Sequence, residues 1–238
     1  MLQVTLAEKS GLRWAQEQVT LHHYLHTPVD ERCSPVALLV TLFGQRVGCV
    51  IFGRPEASRV NGWYGSVEDI RTGKCRLSRW EVLNLARVWL APSLQKDGGR
   101  WYHPEGMIGP SVLPGFYDRK HIWHSCAASY VIDLALERIV FDFLSCKPPV
   151  WVSEPYEIRE VLSYCNTNRH KGTLYRASGF THIRTNADGI ATYARPVRHL
   201  TPDEHAIIAF RSQHDPRCRK LREARRASAY EQLSWMSS

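Results

Sequence analysis

Two polar side chains, Asn84 and Arg87, interrupt the apolar run Glu81-Val-Leu-Asn-Leu-Ala-Arg-Val-Trp-Leu90. Burying a polar group costs free energy unless it is paired. Both are therefore candidates to face a reaction centre, with a structural hydrogen-bond network as the alternative. Glu154 follows the short apolar stretch Val150-Trp-Val-Ser153. It is the first-choice carboxylate for accepting a proton or placing an acceptor, and an exposed turn glutamate before Pro155 is its alternative. The densest cluster is His22-His23-Tyr24-Leu25-His26. On a helix His22 and His26 would share a face; on a strand His22 and Tyr24 would. His23 and Tyr24 are catalytic candidates here, with plain packing as the alternative. Two imidazoles with a carboxylate such as Asp30 would also suit a non-haem iron, although no chelating spacing is specific. A further pattern, Asn168-x6-Tyr175-x3-Gly179-Phe180, places a tyrosine shortly before a Gly-Phe step.

These residues need elements to hold them. Pro35–Phe43 and Val47–Phe52 are β-rich runs separated by Gly44-Gln45-Arg46, which predicts a hairpin. Residues 82–90 are apolar on both parities and read as a central strand buried on both faces. Residues 93–118 form a long Gly/Pro-rich connection, of a kind more often functional than idle. Val131, Leu134, Ala135 and Ile139 recur at helical spacing after Ser125, a suitable N-cap. Val150–Ser153 reads as a short strand and Tyr156–Cys165 as a helix. Phe180–Thr185 and Ile190–Arg195 flank Asn186-Ala-Asp188-Gly189, a second hairpin. The order predicts an α/β fold: a central mixed, twisted sheet with helices on both faces.

Composition narrows the class. The chain has 238 residues, 44% hydrophobic and 23% charged, which suits a folded core. The N-terminus lacks a basic segment leading into an apolar stretch, so no signal peptide is expected. No run approaches a membrane span, and a cytoplasmic protein is expected. Seven scattered cysteines, none in a C-x-x-C pair, argue against a disulfide framework or zinc ribbon. The net charge is +8 and favours polyanionic partners. Much of the excess lies late. Between Arg211 and Arg226 seven cations face two acids, and Arg217, Arg219, Lys220, Arg222, Arg225 and Arg226 are candidate phosphate contacts. A solvated amphipathic helix is the alternative for that segment.

The Asn168–Phe180 pattern resembles the late motif of GNAT acyltransferases, in which an asparagine, a tyrosine and Gly-Phe run from a helix into a strand. The resemblance implies that Tyr175 lies near an acyl thioester and protonates the departing thiolate, and that Asn168 belongs to the cofactor side. It likewise implies that Val82–Leu90, Ser125–Phe143 and Val150–Ser153 are the fourth strand, the following helix and the fifth strand. The family's phosphate loop, Gln/Arg-x-x-Gly-x-Gly/Ala, is absent. Small residues Ser125, Cys126 and Ala127 would still let a pyrophosphate reach the helix N-terminus, with Arg119 nearby. Acetyl-CoA or another acyl-CoA is the expected donor, and an aminoacyl-tRNA is a second form of donor.

Longer strings resemble the Mom DNA-modification family of Mu-like phages. They are His23–His26, Ile51–Glu56, Trp63–Asp69, Leu83–Trp89, Leu113–Phe116, Glu154–Ile158 and Lys171–Phe180, spread over roughly residues 20–210. This resemblance implies transfer of a methylcarbamoyl-type group to the exocyclic amine of adenine in phage DNA, blocking host restriction, in the bacterial host cytoplasm. Chemistry on a base requires it to leave the stack, and Trp63 and Tyr64 beside two glycines could hold it. The expected organisation is a GNAT-like catalytic domain over 1–210 and a basic segment over 211–238. Double-stranded DNA and the acyl donor are the expected partners, with no membrane, and a homodimer is compatible with the sequence. Two alternatives stand beside this reading: a GNAT enzyme acting on a small amine, protein or tRNA, and a non-enzymatic DNA-binding protein.

Overall fold

The computed structural model describes residues 2–60, 62–94, 102–103, 106–107, 116–117, 123–124, 127–149 and 157–224. The chain divides into two compact units, residues 1–138 with 158–197, and residues 139–157 with 198–238.

The first unit is built on a seven-stranded sheet. Its strands are β1 (Leu2–Leu6), β2 (Val36–Leu42), β3 (Gln45–Gly53), β4 (Val82–Leu90), β5 (Glu160–Asn166), β6 (Thr181–Thr185) and β7 (Ile190–Pro196). They lie in the order β1-β2-β3-β4-β5-β7-β6. Every pairing is antiparallel except β4 with β5. Along the chain run the helices α1 (Lys9–His22), α2 (Val67–Arg71), α3 (Ala127–Cys146) and α4 (Thr173–Ala177), and in the second unit α5 (Pro202–His214). The α/β class and the mixed sheet expected from the sequence are what form.

Both predicted hairpins are present. The first turns on Phe43 and Gly44, both at positive φ (50° and 80°). A two-residue turn of that hand matches the twist of its strands. The turn is thus one residue earlier and shorter than Gly44–Arg46. Ahead of it, β1 and α1 form elements the sequence reading left unassigned. Ala15 and Val19 of α1 pack on Ala37, Leu39, Cys49 and Ile51. The opposite parity of the sheet, including Leu38, Val40 and Val50, is equally buried. Helix α3 is fastened to the sheet by Arg138, which donates to the Val4 carbonyl at 2.7 Å, and by the ion pair of Asp133 with Arg195.

One prediction is overturned. Tyr156–Cys165 was expected to be helical, but Glu160–Asn166 is β5. The run Glu-Val-Leu-Ser-Tyr-Cys-Asn satisfies its backbone with β7 along its whole length and with β4 at its start. Its apolar positions fit both periods, and tertiary pairing decides between them. The strand parallel to β4 is therefore 160–166. The stretch Val150–Ser153, proposed for that place, lies outside the described residues.

In the second unit α5 begins with a capping box between Thr201 and Glu204, with Pro202 in its first turn. Hydrogen bonds from Arg198 hold the Glu204 carboxyl down to about 2. Residues 216–224 are helical as well. No helix among the described residues is long and apolar enough to cross a membrane.

Gly48 of β3 pairs with Leu90 of β4 and leaves no room for a side chain. A Cβ there would stand 2.5 Å from Leu90 Cδ2 and 2.7 Å from the Trp89 carbonyl oxygen. Gly48→Ala should therefore cost about 1–3 kcal/mol by overpacking, read as a lower denaturation midpoint in urea.

Candidate active site

The parallel pairing of β4 with β5 lasts only three positions, Val82 with Glu160, Leu83 with Val161 and Asn84 with Leu162. Beyond them β4 stays with β3 and β5 with β7, so the two strands part. A cavity of about 750 Å³ occupies the region between them. The change shows in exposure: Val82–Leu85 are buried, whereas Ala86–Trp89 are half-buried.

A bulge decides which side chains meet there. Ile51 faces Arg87 while the next residue, Phe52, faces Leu85, leaving Ala86 as the extra residue of β4. A bulge shifts strand alternation by one. Asn84 and Arg87, three apart, thus fall opposite Gly53 and Ile51, on the α1 side of the sheet. Both line the cavity, and both keep a buried atom unpaired: Asn84 Oδ1 and Arg87 Nε. The structural-network alternative does not account for those two atoms.

The end of α1 supplies a second wall. His22 stacks on Trp89 at 5.2 Å and 16°, and Trp14 meets Trp89 edge-on. His23 caps α1, and its Nδ1 accepts the Leu25 N–H at 3.3 Å. Burial, then the Arg87 charge, lowers the His23 pKa to about 4, so the ring is neutral near pH 7. The Tyr24 ring lies 4.9 Å from His170 and beneath the Arg169 guanidinium. Its phenol pKa is raised, chiefly by burial. Among the described residues no group of three His, Cys, Asp or Glu is placed to hold a metal. In the histidine cluster, His22 is spent on stacking and Asp30 on a salt bridge to Arg32.

Tyr175 enters from the other side. It stacks on Tyr193 at 5.2 Å, and Tyr193 pairs with Ser163, whose parity is opposite to that of Tyr164. Its hydroxyl lies 3.5 Å from the Tyr164 carbonyl, and burial raises its pKa, so the proton stays on oxygen near neutrality. Gly172, at φ 65°, starts the short helix that carries it.

Five of the six catalytic candidates, Asn84, Arg87, His23, Tyr24 and Tyr175, thus line one cavity. Glu154 lies outside the described residues, as do Ser125, Cys126, Arg119, Arg225 and Arg226. Ala127 is buried at the start of α3. Asn168 sits in the exposed turn after β5, its N–H bonded to Asn166 Oδ1, and does not line the cavity. The cavity also takes in Glu56 and His170, neither of them a candidate from sequence. Their only signal was position: Glu56 ends the string Ile51–Glu56, and His170 lies within the Asn168–Phe180 pattern.

The two loop aromatics require correction. Tyr64 is 0% exposed, its hydroxyl 3.1 Å from that of Tyr164, so it offers no ring face to a base. Trp63 donates to Glu160 Oε2 at 2.7 Å, and Arg76 covers its ring at 4.4 Å. Both glycine-flanked aromatics have been drawn into the protein body, because their polar atoms find partners there. Of the late cations, Arg217 is paired with Asp215, and Arg222 donates to the Ser212 and Gln213 carbonyls. Arg217, Arg219 and Lys220 are all exposed, and Arg219 Nε lies 4.0 Å from Glu223 Oε1.

No family model matches the chain, and a search of curated proteins finds no match. Among solved structures it is similar to the ribosomal-protein-S18-alanine N-acetyltransferase from Escherichia coli, with 12% identity over 85% of this chain and 98% of that one (TM-score 0.40). It is also similar to an aminoglycoside acetyltransferase in complex with coenzyme A, with 12% identity over 82% and 95% (TM-score 0.42). A third is a GNAT-family acetyltransferase from Streptococcus pneumoniae, with 12% identity over 83% and 100% (TM-score 0.41).

A Cβ on Gly172 would lie 2.1 Å from the Tyr193 hydroxyl oxygen. Gly172→Ala should displace α4 and lower the thermal midpoint. Loss of the Tyr175 and Tyr193 ring-current shifts in proton NMR would locate the damage.

Proposed function

We propose that the chain is an acyltransferase that moves an acyl-derived group from a thioester donor onto an amine. The observation that carries this reading is the parting of β4 from β5 around a cavity reached by polar side chains of both sheet faces. A two-substrate transfer needs such a passage, since donor and acceptor must meet at one point from different directions. An acyl-CoA fits the residues present, and it would supply an activated carbonyl and a thiolate leaving group. Arg87 and Asn84 line the wall, and their side chains carry the donors and the amide suited to the carbonyl and amide groups of such a donor. Tyr175 lines the cavity and its hydroxyl is protonated near pH 7, and it would give that proton to the leaving sulfur. A His23 pKa of about 4 weakens it as a base near neutrality.

The finer reading names the amine as the exocyclic nitrogen of adenine in double-stranded DNA. It is supported by the resemblance of the His23–His26, Leu83–Trp89 and Lys171–Phe180 strings to the Mom family, and by the net charge of +8. Three of those strings contribute walls of the same cavity. Phosphate contacts would come from the exposed Arg219 and Lys220, with Arg217 and Arg222 held in internal bonds. A small-amine acceptor is the second reading, and the cavity volume of about 750 Å³ accommodates it.

Mass spectrometry of nucleosides from DNA incubated with protein and acetyl-CoA tests the reading directly; a modified deoxyadenosine is expected. Tyr175→Phe should lower its yield by about 10²–10⁴-fold without loss of folding. Unmodified DNA alongside an acylated small amine would favour the second reading. For DNA binding, Arg219→Ala with Lys220→Ala should reduce the magnitude of d log K/d log[salt] by about 1.8, checked by isotherms at several salt concentrations. An unchanged slope would move the phosphate contacts elsewhere.

A further inference from the structure

Most polar groups lining the cavity between β4 and β5 are donors, and an acceptor amine brings further donors of its own. Arg87 and Lys171 are the cations of the wall, and burial keeps the Tyr24 and Tyr175 phenols protonated. Among the lining residues Glu56 is the one carboxylate. Acceptor placement was expected of Glu154, which lies outside the described residues, and no role was expected of Glu56. The Glu56 side chain is exposed, and its charge reaches Arg87 on β4 and Tyr164 on β5. Both of those residues line the cavity with it, so the carboxylate belongs to the opening where the two strands part.

The backbone on either side of Glu56 is held. The Arg54 N–H donates to the Cys33 carbonyl at 2.6 Å, Arg79 Nη2 to the Pro55 carbonyl at 2.7 Å, and the Tyr64 hydroxyl to the Ala57 carbonyl at 3.2 Å. The carboxylate itself enters none of the ion pairs among the described residues. Donors within reach of its charge are spent elsewhere. Arg87 Nη1 donates to the Ala86 carbonyl, and Arg32 is paired with Asp30. Tyr64 gives its one proton to Ala57, so at 3.1 Å it accepts the proton of Tyr164. A fixed backbone carrying an unspent carboxylate is pre-organised for a ligand with N–H groups.

We propose that Glu56 is the amine-receiving group of the cavity: its carboxylate takes an N–H of the incoming acceptor at the gap between β4 and β5. The ligand chemistry is an amino group with at least one N–H, carried by a small primary amine or by a nucleobase. The acyl donor is a poor match for this position, because a carboxylate repels the phosphates of an acyl-CoA. The inference rests on the acyl-transfer reading and names the residue that meets its acceptor.

The test is a titration of the full-length protein carrying ¹³Cδ-labelled glutamate, with the Glu56 carboxyl signal identified by its loss in Glu56→Gln. The probes are n-propylamine and deoxyadenosine. Their controls, trimethylpropylammonium and N6,N6-dimethyldeoxyadenosine, keep the charge or the ring and have no amino N–H. At least one probe should shift the Glu56 signal saturably, with its control about tenfold weaker, the worth of one charge-assisted hydrogen bond. Glu56→Ala should weaken that probe by a similar factor at an unchanged thermal midpoint. A response to propylamine alone would support a small amine as the acceptor, and a response to deoxyadenosine alone a nucleobase. No saturable shift from either probe, a control that binds as well as its amine, or undiminished affinity in Glu56→Ala would overturn the site. Amine binding at Glu56 without transfer from acetyl-CoA would leave the site standing and remove the proposed reaction. Transfer with the same acceptor KM in Glu56→Ala would keep the reaction and remove the site.

Discussion

The parallel ladder between β4 and β5 stops after three pairs, and most of what surrounds the cavity follows from that stop. Past the last pair, the outer edges of the two strands stay paired, β4 with β3 and β5 with β7, each an antiparallel partner. The two halves of the sheet are therefore secured independently, while the inner edges of β4 and β5 no longer pair with each other. At its apex the Ser163 hydroxyl donates to the Leu85 carbonyl at 3.0 Å, in place of a ladder bond. At the other end of the short ladder, Glu160 is buried and held by Arg76 and Trp63. An acid at 4% exposure without those partners would be strongly destabilising, so Trp63 and Arg76 tie their segment to the ladder.

Much of this was legible in the sequence, for local reasons. A run of nine residues apolar on both parities is a central strand, and two polar intruders in it ask for an explanation. The Asn186–Gly189 turn and the spacing from Val131 to Ile139 depend only on neighbours in the chain. The cavity-lining residues Tyr24 and Tyr175 are in the same position, since each lies in a dense local pattern. The gap itself was not legible. It depends on which strand stands beside β4, and Glu160–Asn166 is compatible with either a helix or a strand until β7 and β4 are there to pair with it. The bulge at Ala86 is equally hidden, because it is a matter of register with β3. Without it, Asn84 and Arg87 would point to opposite faces. Tyr64 misled for the same reason. A glycine on each side of Trp63-Tyr64 suggests an exposed loop, but the tyrosine found a hydroxyl partner one hundred residues away.

The electrostatic character of the cavity is likewise a product of arrangement rather than composition. Its wall combines a cation with histidines and phenols, yet burial and the Arg87 charge together keep His23 neutral, and burial keeps Tyr24 and Tyr175 protonated. The result is a wall that offers hydrogen-bond donors near pH 7, with Glu56 as the one acid among its lining residues. Such donors stabilise negative oxygen or sulfur.

The Ser163 bond has a consequence for how such a passage can vary among descendants of one ancestor. Where a ladder ends on a peptide group, its length is written into strand register, and altering it means sliding a whole strand. Here the end is held by one hydroxyl reaching across to a carbonyl. A single codon can lengthen, shorten or remove that reach while the strand order and the antiparallel partners stay as they are. The width of the passage is thereby uncoupled from the topology that surrounds it, and selection can adjust one without rebuilding the other.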